Sequence, residues 1–569
     1  MAQALRAIRA GAARPNLARL VAYVVFGGPI AAGLALTLAP AFGFLPALGG
    51  DAFSLAPWRA LLAQAGLAGS LRLTIAVGFA ATALSLALAF GLLATLGARA
   101  RGRGFEYALA PLLAAPHVAI AIGLAFLIAP SGWLMRLLSP WATGLTSPPD
   151  FASVNDAYGL ALTLGLVLKE TPFLVIVALG ALNQIPAAAQ MRVARSLGYR
   201  PAAAWLKIVA PQVYAQIRLP VYAALAYALS VVDMALVLAP SHPAPLSVVG
   251  LRLLMAPDLN LVFPGAAAAT LQLLIVAAAI GVWRLGEIGV ARFGLARAAK
   301  GERGAATQIA AATFCGAALA ALALAFGAIL ALALWSFAWR WPFPDALPES
   351  WTLEVWRRNG AELMRPLGDT LALAAVSSAL ALALALAWLE SDDRAGRAPR
   401  TSAIYIPLLL PQLAFLFGAQ TFFARMQIDG TFAAVAWAHA LFVFPYVMLA
   451  LSDPWRALDP RYARAAAALG ATPGRTFLFV KLPILFRPIA IAFAIGVSVS
   501  VAQYLATLFA GGGRVPTLTT EALALASGGD RRVAAIAGFL QALLPMAVYL
   551  AALMAPRLVY ANRRQMLSP

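Results

Sequence analysis

"RAAAALGATPGRTFLFVKLPIL", residues 464–485, has a counterpart 272 positions earlier, "RVARSLGYRPAAAWLKIVAPQV", residues 192–213. In both, an aromatic residue (Trp205, Phe477) follows a glycine (Gly198, Gly470) by seven positions, and a proline (Pro211, Pro483) follows it by thirteen. Ahead of each glycine, apolar residues recur at helical spacing, Ala194 and Leu197 in one copy and Ala466 and Leu469 in the other. Glycine takes the left-handed conformation that ends a helix, so each copy predicts helix, sharp turn, helix. Each lies between long apolar stretches, as a polar loop between membrane spans does.

The composition surrounding these loops excludes a water-soluble globule. Hydrophobic residues make up 62% of the 569 and charged residues 11%, with a mean hydropathy of +0.84. A helix of roughly 20 apolar residues spans a bilayer, and the sequence predicts an all-helical membrane protein of about twelve spans. The fourth is expected at 158–182, the fifth at 220–238, the ninth at 404–423 and the eleventh at 489–509. The first stretch is too long for a removable signal peptide and reads as a retained anchor. Cys315 is the only cysteine, so no intramolecular disulfide forms.

The net charge of +20 is distributed as a topology signal. With the N- and C-termini placed in the cytoplasm, 29 of the 42 Lys and Arg fall in cytoplasmic segments, 12 on the other side, and Lys169 within a span. That asymmetry is the positive-inside rule. Basic stretches such as "ARARGRG" (98–104) therefore read as topology signals and anionic-lipid contacts rather than nucleic-acid sites.

The chain divides into two halves. Pro116, His117 and Gly123 match Pro411, Gln412 and Gly418 with equal spacing, and Pro172 and Phe173 match Pro445 and Tyr446. The offset is 295 for Pro116 and Pro411 but 272 for Gly198 and Gly470, which assigns the first half a longer external loop at 130–156. The boundaries expected are a first six-span domain at 1–290 with its polar loop at 184–218, a cytoplasmic linker at 291–308, and a second six-span domain at 309–569 with its loop at 453–488. Six spans per half keep both in the same orientation, a parallel repeat.

Catalytic signatures do not stand out. Lys169, Lys207, Lys300 and Lys481 are preceded by Leu, Leu, Ala and Val, so no phosphate-cradling Gly-Lys sequence exists. His117, His242 and His439 lack metal-ligand spacing.

The repeated loop resembles the cytoplasmic EAA loop of permease subunits in binding-protein-dependent ABC importers. Its second copy is the closer match, through Ala465, Ala466, Leu469, Gly470, Phe477, Leu482 and Pro483. The whole chain is similar to a fused pair of six-span permease domains, the layout of thiamine, ferric-iron and phosphonate importers. The resemblance implies no resident cofactor and a coupling helix in each loop, docked on one of two copies of a separate ATPase that carries ATP and Mg. It also implies an external solute-binding protein, one copy of this chain per transporter, and residence in a bacterial inner membrane. Trp205 and Phe477 become apolar anchors. The chain departs from the pattern where relatives carry an acid, since Arg192 and Arg464 stand there.

Polar residues inside the expected spans are candidates for the pathway, because charge in a bilayer faces a bundle interior or a wet path. These are Lys169 and Glu170, which as neighbours point about 100° apart and need not pair, and Asp233 in the fifth span. Gln503 and Tyr504 occupy the counterpart region of the eleventh; the resemblance implies that these helices line the path. His439 and Gln412 are weaker candidates, expected to be satisfied within helix contacts. Glu170 and Asp233 together favour a cation. A rival reading comes from "DDRAGR" (392–397), which resembles the Asp-Arg-x-Gly-Arg loop of major-facilitator secondary transporters; the first half's equivalent, "GARARGRG", lacks the Asp.

Overall fold

The structure, a computed structural model, describes residues 17–97, 103–299, 304–396 and 402–560; part of the basic stretch 98–104 and the end of "DDRAGR" lie outside them. Helices form nearly everything, apart from a two-stranded antiparallel hairpin pairing Ala338–Arg340 with Ser350–Trp351. The first half contains α1 (Leu17–Ala41, with a π turn at Tyr23–Gly27), α2 (Leu67–Leu96), α3 (Arg103–Ala114), α4 (His117–Ile128) and α5 (Leu160–Leu182). It continues with α6 (Ala187–Ser196), α7 (Ala210–Ser230), α8 (Asp233–Leu238), α9 (Leu246–Leu254) and α10 (Val262–Ala299).

The second half follows the same order. It contains α11 (Ala305–Phe337), α12 (Glu354–Arg394), a 3-10 turn at Ser402–Leu409, α13 (Gln412–Arg425), α14 (Phe432–Ala457) and α15 (Pro460–Ala468), then α16 (Phe486–Val501), α17 (Leu505–Gly511), α18 (Leu518–Ala526) and α19 (Arg531–Val559). The connection after α4 runs over 129–159, whereas its counterpart after α13 occupies only 426–431. The stretch expected as a linker is helical through Ala299, because its Ala, Leu and Arg are strong helix formers.

Among the described residues, nine helices are long and apolar enough to cross a membrane, ten if the bent pair Pro473–Ile484 and Phe486–Val501 counts as one. The shortfall from twelve falls on the expected fifth and ninth spans. Each is broken into shorter helices, α7 with α8 and the 3-10 turn with α13, because Pro411 interrupts one and the extended Val231 the other. Helix α12 runs 41 residues from Glu354 to Arg394, longer than a bilayer needs, since a helix continues into water wherever its residues permit.

The first helix of each half is lent to the other. Helix α1 packs along α13, and α11 packs along α2 and α4. A Cβ on Gly418 would strike the carbonyl oxygen of Gly33, and one on Gly123 that of Ala328. Gly33 with Ala328 and Gly123 with Gly418 share the same 295-residue offset, so the repeat seen in the sequence is the seat of the exchanged helix. Without side chains at these points the backbones approach closely, which is how helices associate where lipid removes the hydrophobic drive. The cores record the exchange: Ala22, Phe26 and Ile30 join the second-half core, and Ala311, Ala318 and Ala325 the first-half core.

Candidate functional site

The two loops are built alike. Helix α6 ends at Gly198 (φ 81°) and α15 at Gly470 (φ 77°), both left-handed. Tyr199 N donates to Ala194 O at 3.1 Å and Gly198 N to Arg195 O at 2.9 Å; Ala471 N to Ala466 O and Gly470 N to Ala467 O, each at 3.0 Å, repeat the pattern. This paired capping satisfies carbonyls that a helix end leaves unbonded. A short helix begins at Pro201 or Pro473 and runs into a π turn that starts at the aromatic, Trp205–Val209 and Phe477–Lys481.

The aromatics face inward. Trp205 is buried edge-on against Phe90, with centroids 5.4 Å apart, and Phe477 lies 6.4 Å from Trp455. They fasten the loops to the chain's own spans, as do the buried Ala194 and Ala466. Leu197 and Leu469 project instead, 59% and 89% exposed. Arg192 and Arg464 are exposed, and neither forms an ion pair with a described residue. Pro211 is exposed and Pro483 half-buried, each opening the helical run that enters the membrane.

The second loop is also tied by charge. Lys481 Nζ donates to Glu390 Oε2 at 2.7 Å and to Asp393 Oδ2 at 2.9 Å, while Trp455 Nε1 donates to Asp393 at 2.9 Å. Asp392 accepts both bonds from Arg19 at 2.9 Å and one from Trp388 at 2.8 Å, which holds α1 to α12. Both aspartates of "DDRAGR" are thus engaged in internal pairings. At offsets of 272, 296 and 273, the first-half equivalents of Lys481, Glu390 and Trp455 are Val209, Ala94 and Leu182, all buried and apolar.

In both halves the helix after the loop breaks midway. Asp233 begins α8 after the break at Val231–Val232, and Gln503 and Tyr504 sit in the break between α16 and α17. Each break is fastened by the same polar set. Ser247 donates to Val231 O at 2.6 Å, and Thr519 donates to Val501 O. Leu246 N donates to Thr74 Oγ1 at 2.9 Å, and Leu518 N to Thr370 Oγ1 at 2.8 Å. Gln272 reaches Leu229 O at 2.7 Å, whereas Gln541 reaches the Thr519 hydroxyl at 2.6 Å. A broken helix frees carbonyls that lipid cannot solvate, and these side chains take them up. Little in the sequence announces the set, because most of its members are single Ser, Thr or Gln residues in apolar helices.

Inside the bundle, Lys169 and Glu170 are both buried and do not pair with each other. Lys169 Nζ donates to Leu112 O at 2.9 Å and to Ala115 O at 2.6 Å. Those carbonyls end α3, where Pro116 supplies no N–H to continue the ladder. Lys169 therefore completes a helix end, and the pathway role expected for it gains no support from this geometry. Glu170 forms no hydrogen bond or ion pair with a described residue. Asp233 Oδ1 accepts from Tyr227 OH at 3.1 Å and from Met234 N at 2.9 Å. The Tyr227 ring rests on His117, 4.6 Å between centroids. Gln503 is buried with its Oε1 lacking a partner among the described residues. His439 is satisfied, at 2.8 Å from both Ser500 and Thr507 on either side of the second break. The tyrosines 227 and 446 are members that hydrophobic patterning hides, since Tyr is common in apolar helices.

No protein-family model matches the chain. It is 31% identical over 517 residues to the Escherichia coli inner membrane ABC transporter permease protein YnjC, covering 90% of this chain and 93% of that protein. It is 27% identical over 174 residues to the Haemophilus influenzae thiamine transport system permease protein ThiP, covering 28% of this chain and 31% of that one. The Mycobacterium tuberculosis molybdenum transport system permease protein ModB is also 27% identical, over 180 residues, 28% of this chain and 68% of that one.

Proposed function

This chain belongs to the fused two-domain permeases of ABC transporters, and from that premise we propose that it forms the entire membrane path of an ATP-driven importer. Twelve spans, counted with the broken fifth, ninth and eleventh, make two parallel six-span repeats in a bacterial inner membrane, with both termini in the cytoplasm. Two copies of a separate ATPase, which holds ATP and Mg, dock on α6 and α15, and an external binding protein delivers the solute to the opposite face.

The observation that carries this reading is the matched pair of loops. Each is capped at a left-handed glycine, bolted to its own half through a buried aromatic or alanine, and turns a bare leucine, Leu197 or Leu469, outward beside that glycine. A short stiff element transmits a movement that a floppy loop absorbs. Arg192 and Arg464 beside these leucines select an ATPase surface that offers carboxylates or neutral polar groups.

For the solute, Glu170 and Asp233 among Tyr227, Tyr446 and Tyr504 favour a small cation, because carboxylates and aromatic faces both attract positive charge. ThiP and ModB are named for unlike solutes, so the interior residues carry this part alone. The test is reconstitution of the chain with and without an ATPase bearing a phosphate-binding loop. Uptake is expected only with the ATPase and ATP; accumulation by the chain alone under a proton gradient would overturn the proposal.

A further inference from the structure

On the face opposite the two loops, the end of α11 and the start of α19 border an open pocket of about 300 Å³, lined by Trp335, Trp339, Trp341, Asp530, Arg531 and Arg532. Its walls hold donors in excess of acceptors. Trp335 is 9% exposed, and its indole N–H has no partner among the described residues. The Arg531 guanidinium lies over Phe126 and Trp335, at 5.9 and 5.5 Å from the ring centroids, and forms no hydrogen bond or ion pair with a described residue.

Behind this wall stands a buried cation. Arg136 is packed among Trp335, Trp341 and Phe343, and donates to the carbonyls of Ser131 and Pro342. Arg136 and Arg531 repel each other. Asp530 is the acid on the lining, and it is committed: it pairs with Arg532 at 2.9 Å and caps the Arg532 N–H at 2.9 Å. Arg532 holds that carboxyl below its ordinary range. The Arg531 guanidinium and an indole N–H beside a carboxylate already spent on Arg532 form an anion site, Arg136 adds positive charge from behind, and the first turn of α19 adds the positive end of its dipole.

The surroundings of the pocket point to the kind of anion. Helix α11 lies on the outside of the first half and shows Leu319, Phe326 and Leu330 outward, as lipid-facing helices do. Three tryptophans gathered at its end mark the level of lipid headgroups. We propose that this cavity binds the phosphate of an anionic phospholipid headgroup, held by Arg531 and the Trp335 N–H.

The test uses the purified full chain in detergent, titrated with short-chain phosphatidylglycerol while its thermal midpoint is followed. A saturable rise is expected, with apparent affinity about tenfold weaker in Arg531→Gln and measurably weaker in Trp335→Phe, which keeps the ring and removes the N–H. Diacylglycerol of the same chain length should give no saturable rise. Equal affinity in both variants, an equal response to diacylglycerol, or equal affinity for inorganic phosphate alone would each overturn the proposal. So would unchanged lipid binding in Arg531→Gln with weakened binding of an acidic external protein. Should Arg531→Gln fail to fold, Trp335→Phe decides.

Discussion

Lys481 Nζ lies 2.7 Å from Glu390 Oε2, joining the second loop to the end of α12 through a buried ion pair that the first half replaces with Val209 and Ala94. The two loops share one backbone design but are held by different forces, one by charge and one by apolar packing. Removing one partner of a buried pair costs about 3 kcal/mol, because the other charge stays behind. Lys481→Met is therefore expected to lower the thermal midpoint in detergent clearly, and Lys481→Met with Glu390→Met to recover part of the loss. Val209→Ala, the corresponding first-half change, should cost about 1 to 3 kcal/mol by loss of packing alone and show no dependence on salt.

At the loop tips, Leu197→Asp and Leu469→Asp are expected to leave the melting of the isolated permease unchanged, since both side chains already face solvent. Co-purification of the ATPase should fall in each and be lost in the double variant. Arg192→Glu with Arg464→Glu should also weaken ATPase association, and undiminished assembly and transport would remove the role assigned to these arginines.

Lys169 and Glu170 are neighbours with separable tasks. Lys169→Met strips the hydrogen bonds from Leu112 O and Ala115 O, at an expected cost of about 1 to 3 kcal/mol. Glu170→Gln removes a charge that no described residue pairs with, so stability should hold while transport of a cationic solute falls. Measuring melting and uptake side by side on both variants distinguishes the two roles.

Gly418→Ala places a methyl group against the Gly33 carbonyl and should destabilise by about 1 to 3 kcal/mol through forced separation of α1 and α13. Gly281→Ala in α10 meets nothing within 4 Å and should be neutral or slightly stabilising. Thermal melts of the two variants check the contrast.

What the sequence disclosed was local. The loops could be read because Gly198, Gly470 and the prolines fix their own backbone, and the apolar spans because bilayer thickness sets their length. The partners of Lys169 could not be read, since they are carbonyls freed by Pro116 more than fifty residues earlier. The inward turn of Trp205 depends on Phe90 in another helix, and an apolar window does not register the interruptions at Val231 and Pro411. The glycines at 123 and 418 could be matched to each other, but not to the helix each receives.

That exchange gives the covalent join a second purpose. A chain severed near residue 300 yields two fragments, each missing the helix that covers its own Gly123 or Gly418 surface and each carrying the one that covers its neighbour's. Neither fragment completes the native packing of its Gly123 or Gly418 surface alone. Joined in one polypeptide, they meet at an effective concentration that no two separately synthesised subunits attain in a crowded membrane, so assembly becomes a folding step rather than an encounter.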